Sequence, residues 1–349
     1  MLQRFSGEIK RQFAHRGISG QQLRAIRSER ANHQRAAIFY CSSAGEYEQA
    51  LPVIDRLGPD WYIHIFFSSV SGVEYATALE ENRPFHLSPV EGLQRWERVF
   101  NAIQPELVVV TRHGLWPAFL YTARQYAQLV AIDVAVRDNS GGLSRRIKTW
   151  LLNWFDRVFF VSEEDRRLLN DLQVPSQIAG NTKFDRAADR KSLRADQAAR
   201  LATEADRLLL PGKRLIAGSA WREDVEVILE AHRTLTGMEQ EEWRLILVPH
   251  DVSPTMINWM EQACLAAGLS VTRYSQKERA GQPTKVLIVD TIGLLFELYA
   301  GADVALIGGG FQQGIHNLVE PAVFGLPLIA GPLAGSDREA MLYRSANLL

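Results

Sequence analysis

The sequence predicts two doubly wound parallel α/β domains in tandem. Three observations predict this. A chain of 349 residues is long enough for two domains of ordinary size. Short apolar runs alternate with longer segments at helical spacing, the pattern of parallel strand–helix–strand units. That alternation stops near Asp185–Leu193 and then begins again.

In the first set, Ala37–Cys41, Trp61–Phe67, Leu107–Thr111, Leu129–Asp133 and Val158–Ser162 read as buried strands, being short, apolar and rich in β-branched and aromatic residues. Between them Glu48–Leu57, Val73–Asn82, Gly92–Ile103 and Trp116–Tyr126 carry apolar residues at helical spacing. In the second set, Leu215–Ser219, Arg244–Pro249, Val271–Tyr274, Lys285–Val289, Val304–Ile307 and Leu328–Ala330 read as strands. Its helices are expected at Asp224–Thr236, Pro254–Ala267, Gly293–Tyr299 and Asn317–Phe324. The join, Asp189–Lys213, is rich in Arg, Ala and Asp and ends on Pro211-Gly212, so it predicts a helical connection closing on a turn.

Composition bounds the function. With 46% hydrophobic and 23% charged residues, the chain is an ordinary globular one. A net charge of -1 gives no global attraction for nucleic acid, and no interleaved aromatic and basic motif suggests such binding. The charge is uneven, however. Arg4, Lys10, Arg11, Arg16, Arg24, Arg27, Arg30 and Arg35 are opposed by only Glu8 and Glu29 in the first 35 residues. Such a segment is either a solvated basic helix or a contact for an anionic membrane surface. Cys41 and Cys264, far apart in sequence, form no disulfide framework, and no His, Cys and carboxylate spacing suggests a metal. No apolar run reaches the ~18 residues of a spanning helix, so membrane contact is expected to be peripheral.

Ligands of doubly wound sheets bind outside the carboxyl ends of the strands, so the residues just after each strand carry the chemistry. The first such segment is Cys41-Ser42-Ser43-Ala44-Gly45-Glu46, in which Gly45 permits a tight turn and Glu46 opens the next helix. Glu46 reads two ways: as a general base for a hydroxyl, or as a helix-start carboxylate stabilised by the macrodipole. The second is Gly308-Gly309-Gly310-Phe311-Gln312-Gln313-Gly314-Ile315-His316-Asn317-Leu318-Val319-Glu320-Pro321. A glycine run after a strand lets backbone N–H groups approach a phosphate. Asn317 and Glu320, three apart, are expected on one helical face, where Glu320 can accept from a ribose diol. The run is not a G-x-G-x-x-G fingerprint, so no nicotinamide cofactor is implied. Smaller candidates are Ser219 and Trp221 after the first strand of the second domain, Pro249 and His250 after the next, and Asn181 and Lys183 at the end of the first domain. Each can also be a structural turn residue.

At these residues the chain resembles the Kdo transferases, enzymes of the GT-B type that move 3-deoxy-D-manno-octulosonic acid (Kdo) from CMP-Kdo onto a lipid A precursor. The likeness is carried by Cys41–Ile54, by Phe155–Arg186 with Gly180-Asn181-Thr182-Lys183-Phe184-Asp185, by Ala217–Asp224, by Pro249-His250-Asp251, and most specifically by Ala302–Pro332. The resemblance implies two Rossmann-like domains facing a central cleft. Residues 1–35 would be a basic helical segment, 36–188 the acceptor-side domain, and 189–349 the linker and donor domain. It implies that Glu46 is the general base of an inverting transfer. It implies that Glu320, Asn317 and the loop with Gly309, Gly310, Gly314 and His316 hold the CMP part of the donor without a metal. Ser219, Trp221, Pro249, His250, Asn181 and Lys183 would line the donor site. The protein would act peripherally at the cytoplasmic face of the bacterial inner membrane, with no cofactor beyond its donor.

Three departures accompany the resemblance. In Thr111-Arg112-His113-Gly114-Leu115-Trp116-Pro117, Gly114 stands where the family usually has a carboxylate on the acceptor side, which bears on the choice of acceptor; Arg112 and Trp116 of the same segment are further candidate site residues. The usual apolar N-terminal anchor is absent. The sequence stops at Leu349, where family members continue with further helices; this reads as a truncated chain or a shortened variant. Two other readings stay open: a GT-B-fold sugar-nucleotide epimerase, and a relative that binds nucleotide or glycolipid without turnover.

Overall fold

A computed structural model describes residues 17–79, 83–112, 114–136, 141–169, 171–235, 242–312, 314–336 and 338–345. The chain divides into two compact units, Met1–Arg186 and Ala187–Leu349. Both are α/β with wholly parallel sheets.

Unit 1 runs α1 (Gly20–Arg30), β1 (Arg35–Cys41), α2 (Ala44–Asp55), β2 (Trp61–Phe67), α3 (Val70–Leu79), β3 (Phe85–Leu87), α4 (Leu93–Ile103), β4 (Leu107–Thr111), α5 (Pro117–Tyr126), β5 (Gln128–Val134), α6 (Gly142–Leu152), β6 (Arg157–Phe160), α7 (Glu163–Arg167) and β7 (Ser176–Ile178). Its sheet order is β3-β2-β1-β4-β5-β6-β7. The strands have apolar residues on both faces, as a sheet covered on both sides requires. Ala36, Ile38 and Tyr40 of β1 join one core with Trp96, Phe100 and Phe119, while Ala37, Phe39 and Cys41 join the opposite core with Tyr47 and Leu51. Trp96 is wholly buried, so Trp96→Ala removes roughly 3–5 kcal/mol of stability.

α8 (Thr182–Leu193) carries the chain across the unit boundary. Unit 2 continues with α9 (Ala195–Leu208), β8 (Lys213–Ala220), α10 (Arg222–Leu235), β9 (Trp243–Pro249), α11 (Pro254–Ala266), β10 (Val271–Arg273), β11 (Val286–Ile288), α12 (Leu295–Leu298), β12 (Val304–Ile307), α13 (Val319–Ala322), β13 (Leu328–Ala330) and α14 (Arg338–Ser345). Its sheet order is β10-β11-β9-β8-β12-β13. Ile216, Ile246, Leu287 and Ala305 face one core and Ala217, Leu245, Val286 and Leu306 the other.

Strand order reverses direction between β1 and β4 in unit 1, and between β8 and β12 in unit 2. Such a reversal splays the loops leaving the two strands and opens a crevice at their carboxyl ends. The segments after β1, β4, β8 and β12 hold Glu46, Arg112, Ser219 with Trp221, and the glycine loop, while His250 follows β9 and Asn181 follows β7.

Differences from the sequence reading are local. α2 begins at Ala44 rather than Glu48, because Ser43 caps it: its hydroxyl accepts from the Glu46 N–H. Val161 and Ser162 lie past the end of β6, and Ser162 caps α7. α13 begins at Val319, so Asn317 precedes the helix, and its carboxamide oxygen accepts from the Val319 N–H at 3.0 Å. The expected i,i+3 helical pairing of Asn317 with Glu320 is therefore not formed. Of the basic leading segment, residues 1–16 lie outside the described residues, as do His113, Gln313 and Leu349. The remainder includes α1, whose Arg30 Nε donates to the Ile103 carbonyl at 3.0 Å.

Candidate functional site

In unit 1, Glu46 is the third residue of α2 and is 5% exposed. The Ser42 N–H donates to its Oε2 at 2.5 Å, while its own N–H donates to Ser43 Oγ at 3.3 Å. These two bonds hold the carboxylate in the first turn of the helix, where its charge is favoured. Both sequence readings of Glu46 thus share one geometry: a capping carboxylate fixed at the switch point of the sheet. The neighbouring Cys41 thiol is pushed up by burial and then by the Glu46 charge, so it is an inert core thiol. Gly45 sits inside the first helical turn without positive φ, and a Cβ there would meet only Ser43 Oγ at 3.9 Å. The expectation that Gly45 makes a tight turn is not fulfilled.

One turn along α2, Gln49 Nε2 donates to Asn181 Oδ1 at 3.1 Å, and the same oxygen accepts from the Lys183 N–H at 3.0 Å. Asn181 thereby ties the segment before α8 to the helix of Glu46. Asp133, at the end of β5, completes the anchor: it accepts from the Thr182 N–H at 3.0 Å and from the Thr182 hydroxyl. Burial raises the Asp133 carboxyl, opposed by these bonds and by Arg112. Arg112 and Asp133 both have positive φ, at 58° and 53°. Non-glycine residues in that region carry strain, which clusters at functional sites.

Gly114 has a steric cause. A Cβ there would lie 2.5 Å from Tyr40 Cδ1 and 3.1 Å from Val110 Cγ1. The Tyr40 ring cannot easily yield, because it packs on Phe119 at 4.8 Å between centroids and its hydroxyl is 3.0 Å from Ser68 Oγ. The place a carboxylate side chain would leave from is filled by the core. Trp116, two residues on, precedes α5 and is 38% exposed.

In unit 2 the glycines after β12 are required by close backbone packing. A Cβ on Gly308 would lie 2.2 Å from the Ser219 carbonyl oxygen, one on Gly309 2.4 Å from that of Gly314, and one on Gly310 2.5 Å from the Gly331 nitrogen. Gly309 and Gly314 both have φ of 87°. The expectation of free N–H groups needs correction at two positions. The Gly308 N–H donates to the Gly218 carbonyl and the Gly309 N–H to Asp224 Oδ2, both at 2.9 Å. Asp224, 1% exposed, also accepts from the Trp221 N–H at 2.8 Å, so a single carboxylate oxygen joins the loops after β8 and β12. Ser219, between them, has φ of 52°.

The rings of Trp221, His250 and His316 converge here. Trp221 and His250 stack at 4.4 Å, and His250 and His316 at 4.6 Å. Pro249 ends β9 buried, and the His250 N–H donates to the Ala220 carbonyl at 3.0 Å, which fixes His250 beside the β8 loop. Burial and then His250 hold His316 below the ordinary histidine value, with Asp224 opposing. Asn317 is exposed. Glu320 is held by Arg190, whose Nη1 lies 3.3 Å from its Oε1. Arg190 also lies over the Phe296 ring at 4.1 Å and approaches the buried Glu297 at 3.7 Å. The fold thus gathers Ser219, Trp221, His250, Gly309, His316 and Asp224 at one strand-end cluster, and Glu46 with Asn181 at another in the other unit.

Sequence reading missed Asp224, Arg190, Gln49 and Asp133. Asp224 had a local signal, an acid in the first turn after a strand-end loop. Arg190 and Gln49 had none, since their partners lie 130 and 132 residues away. Among the described residues, no group of three or more His, Cys, Asp or Glu is arranged to hold a metal ion.

Residues 17–186 match the family model of the 3-deoxy-D-manno-octulosonic-acid transferase (kdotransferase). The 3-deoxy-D-manno-octulosonic acid transferase of Haemophilus influenzae is 26% identical over 305 residues, covering 84% of this chain and 70% of the relative. That of Rickettsia felis is 25% identical over 317 residues, covering 86% and 65%. The chain thus spans about two thirds of the length of these curated relatives. Among solved structures, UDP-GlcNAc 2-epimerase from Neisseria meningitidis is similar with a TM-score of 0.56 and 14% identity, over 90% of this chain and 91% of that one, a likeness of fold alone.

Proposed function

We propose, for a chain related to the Kdo transferases over most of its length, that it is an inverting glycosyltransferase moving Kdo from CMP-Kdo to a lipid A precursor. The observation that carries the reading is Glu46, a buried carboxylate at the switch point of the domain that matches the family model.

In this reading, Glu46 takes the proton of an acceptor hydroxyl. The oxygen attacks the anomeric carbon of Kdo from the face opposite the phosphate, and the bond to CMP breaks. The Ser42 N–H fixes the Glu46 carboxylate, so it meets the hydroxyl with little rotamer freedom to lose. In unit 2, Glu320 accepts from the ribose, oriented by Arg190. His316 and the loop after β12 meet the phosphate. Asn317 and His250 contribute to the same donor.

The finer part of the proposal is peripheral binding at the cytoplasmic face of the bacterial inner membrane. No helix among the described residues is long and apolar enough to cross a membrane. On α6, however, Leu143, Ile147 and Trp150 follow at i, i+4 and i+7 and are 73%, 50% and 54% exposed. Trp150 packs edge-on to Trp154 at 4.7 Å, and Trp154 to Tyr121 at 6.2 Å. The charged residues of α5 and α6 are Arg124, Arg145, Arg146 and Lys148, with no carboxylate. Apolar and aromatic residues amid basic ones suit the interface of an anionic membrane.

Calorimetry with CMP and UDP tests the donor. The proposal expects CMP to bind and UDP to bind at least ten-fold more weakly. Tighter UDP binding would transfer the chain to the sugar-nucleotide epimerase reading.

A further inference from the structure

The contact of Trp221 with His316 fixes more than packing. Stacked rings lie about 3.5 Å apart, so rings on opposite faces of His250 would be about 7 Å from each other. Yet Trp221 Nε1 lies 3.2 Å from His316 Nε2. The indole and the imidazole therefore lie side by side on one face of His250.

An indole N–H can only donate. His316 Nε2 must then be the acceptor, which requires a lone pair on that nitrogen. A neutral ring with Nε2 unprotonated carries its hydrogen on Nδ1. Burial and His250 favour the neutral ring, and Asp224 is the charged group that opposes them. Asp224 also bonds the N–H groups of Trp221 and Gly309. The backbone N–H of His316 donates to the Gly308 carbonyl at 3.3 Å, so the same short stretch of backbone sets the position of both rings.

We propose that Trp221 is a positioning residue that sets the tautomer of His316, keeping its hydrogen on Nδ1 so that the imidazole offers an N–H to an anionic ligand, while Asp224 holds the two loops at the distance this needs. The identity of that ligand as the CMP phosphate rests on the function proposed above; the tautomer does not.

The test is nitrogen-15 NMR of the histidine side chains in the full chain above pH 7. The His316 signals are identified by their loss in His316→Gln. The expected wild-type spectrum has an unprotonated Nε2 and a protonated Nδ1. In Trp221→Phe, which keeps an aromatic ring but has no N–H, the hydrogen should move to Nε2, and CMP affinity should fall about ten-fold. A protonated Nε2 in the wild type overturns the proposal even if the variant fails to fold. An unchanged tautomer in folded Trp221→Phe overturns it as well. An altered tautomer with unchanged CMP affinity overturns the role in binding. Failure of CMP to bind the wild type defeats the donor reading instead and leaves the tautomer measurable.

Discussion

A carboxylate that both caps a helix and takes a proton is distinguished by which substitution it tolerates. Glutamine at position 46 keeps an oxygen to accept from the Ser42 N–H but is no base. Glu46→Gln should therefore fold with near wild-type stability, bind CMP as before, and lose transfer rate by about 10²–10⁴-fold, the usual contribution of a general base. Retained rate in that variant would leave Glu46 a cap and nothing more. At Gly114 the expectation is opposite in kind. Gly114→Ala drives a methyl against the Tyr40 ring and should cost about 1–3 kcal/mol in chemical denaturation, as overpacked cores do. Glu46 and Gly114 were both legible in the sequence as positions; the reason for Gly114 was not, because Tyr40 is 74 residues earlier and only the pairing of β1 with β4 brings them together.

Individual elements show what a linear pattern can and cannot specify. Long apolar strands such as β2 and β4 were fully legible. β3 and β7 have three residues each and take their conformation from the neighbours they pair with, which no local pattern encodes. α6 was missed because its stripe of Leu143, Ile147 and Trp150 faces outward rather than into a core. That stripe predicts vesicle binding: Ile147→Glu with Trp150→Glu should abolish co-sedimentation with anionic vesicles and leave CMP binding intact. The β2–β3 pair holds another consequence. Buried Tyr62 and His64 and half-buried His86 form a chain, with His64 Nε2 3.1 Å from His86 Nδ1. Burial lowers both histidines, His64 further through His86. Both stay neutral in the folded state while the unfolded chain takes up protons below about pH 6.5, the ordinary histidine value. Stability is thus full above that pH and lost as pH falls toward the lowered folded values. Denaturation at pH 7.5 and 5.5 should show this loss, and His64→Gln should have the shallower pH dependence; equal slopes would refute it.

At the scale of the whole molecule, repetition of the strand–helix pattern was the most legible feature, since two runs of one periodicity, with a single restart between them, need no long-range information. The candidate site was legible as segments, because each follows a strand. Its internal wiring was not: Asp224 to Gly309, Trp221 to His316 and Arg190 to Glu320 join residues brought together only by strand order. The correction at Gly308 and Gly309 belongs to this scale too. Their glycines permit the β8 and β12 loops to lie backbone against backbone, so Gly308→Ala should impair unit 2 as a fold before it impairs any ligand contact. The central claim is a chemical one, and a product decides it. Incubation of the chain with CMP-Kdo and lipid IVA, followed by mass spectrometry of the lipid, should reveal lipid carrying added Kdo together with released CMP, and neither with Glu46→Gln. Unmodified lipid in the presence of a wild-type chain that binds CMP would contradict the transferase and leave a nucleotide-binding relative in its place.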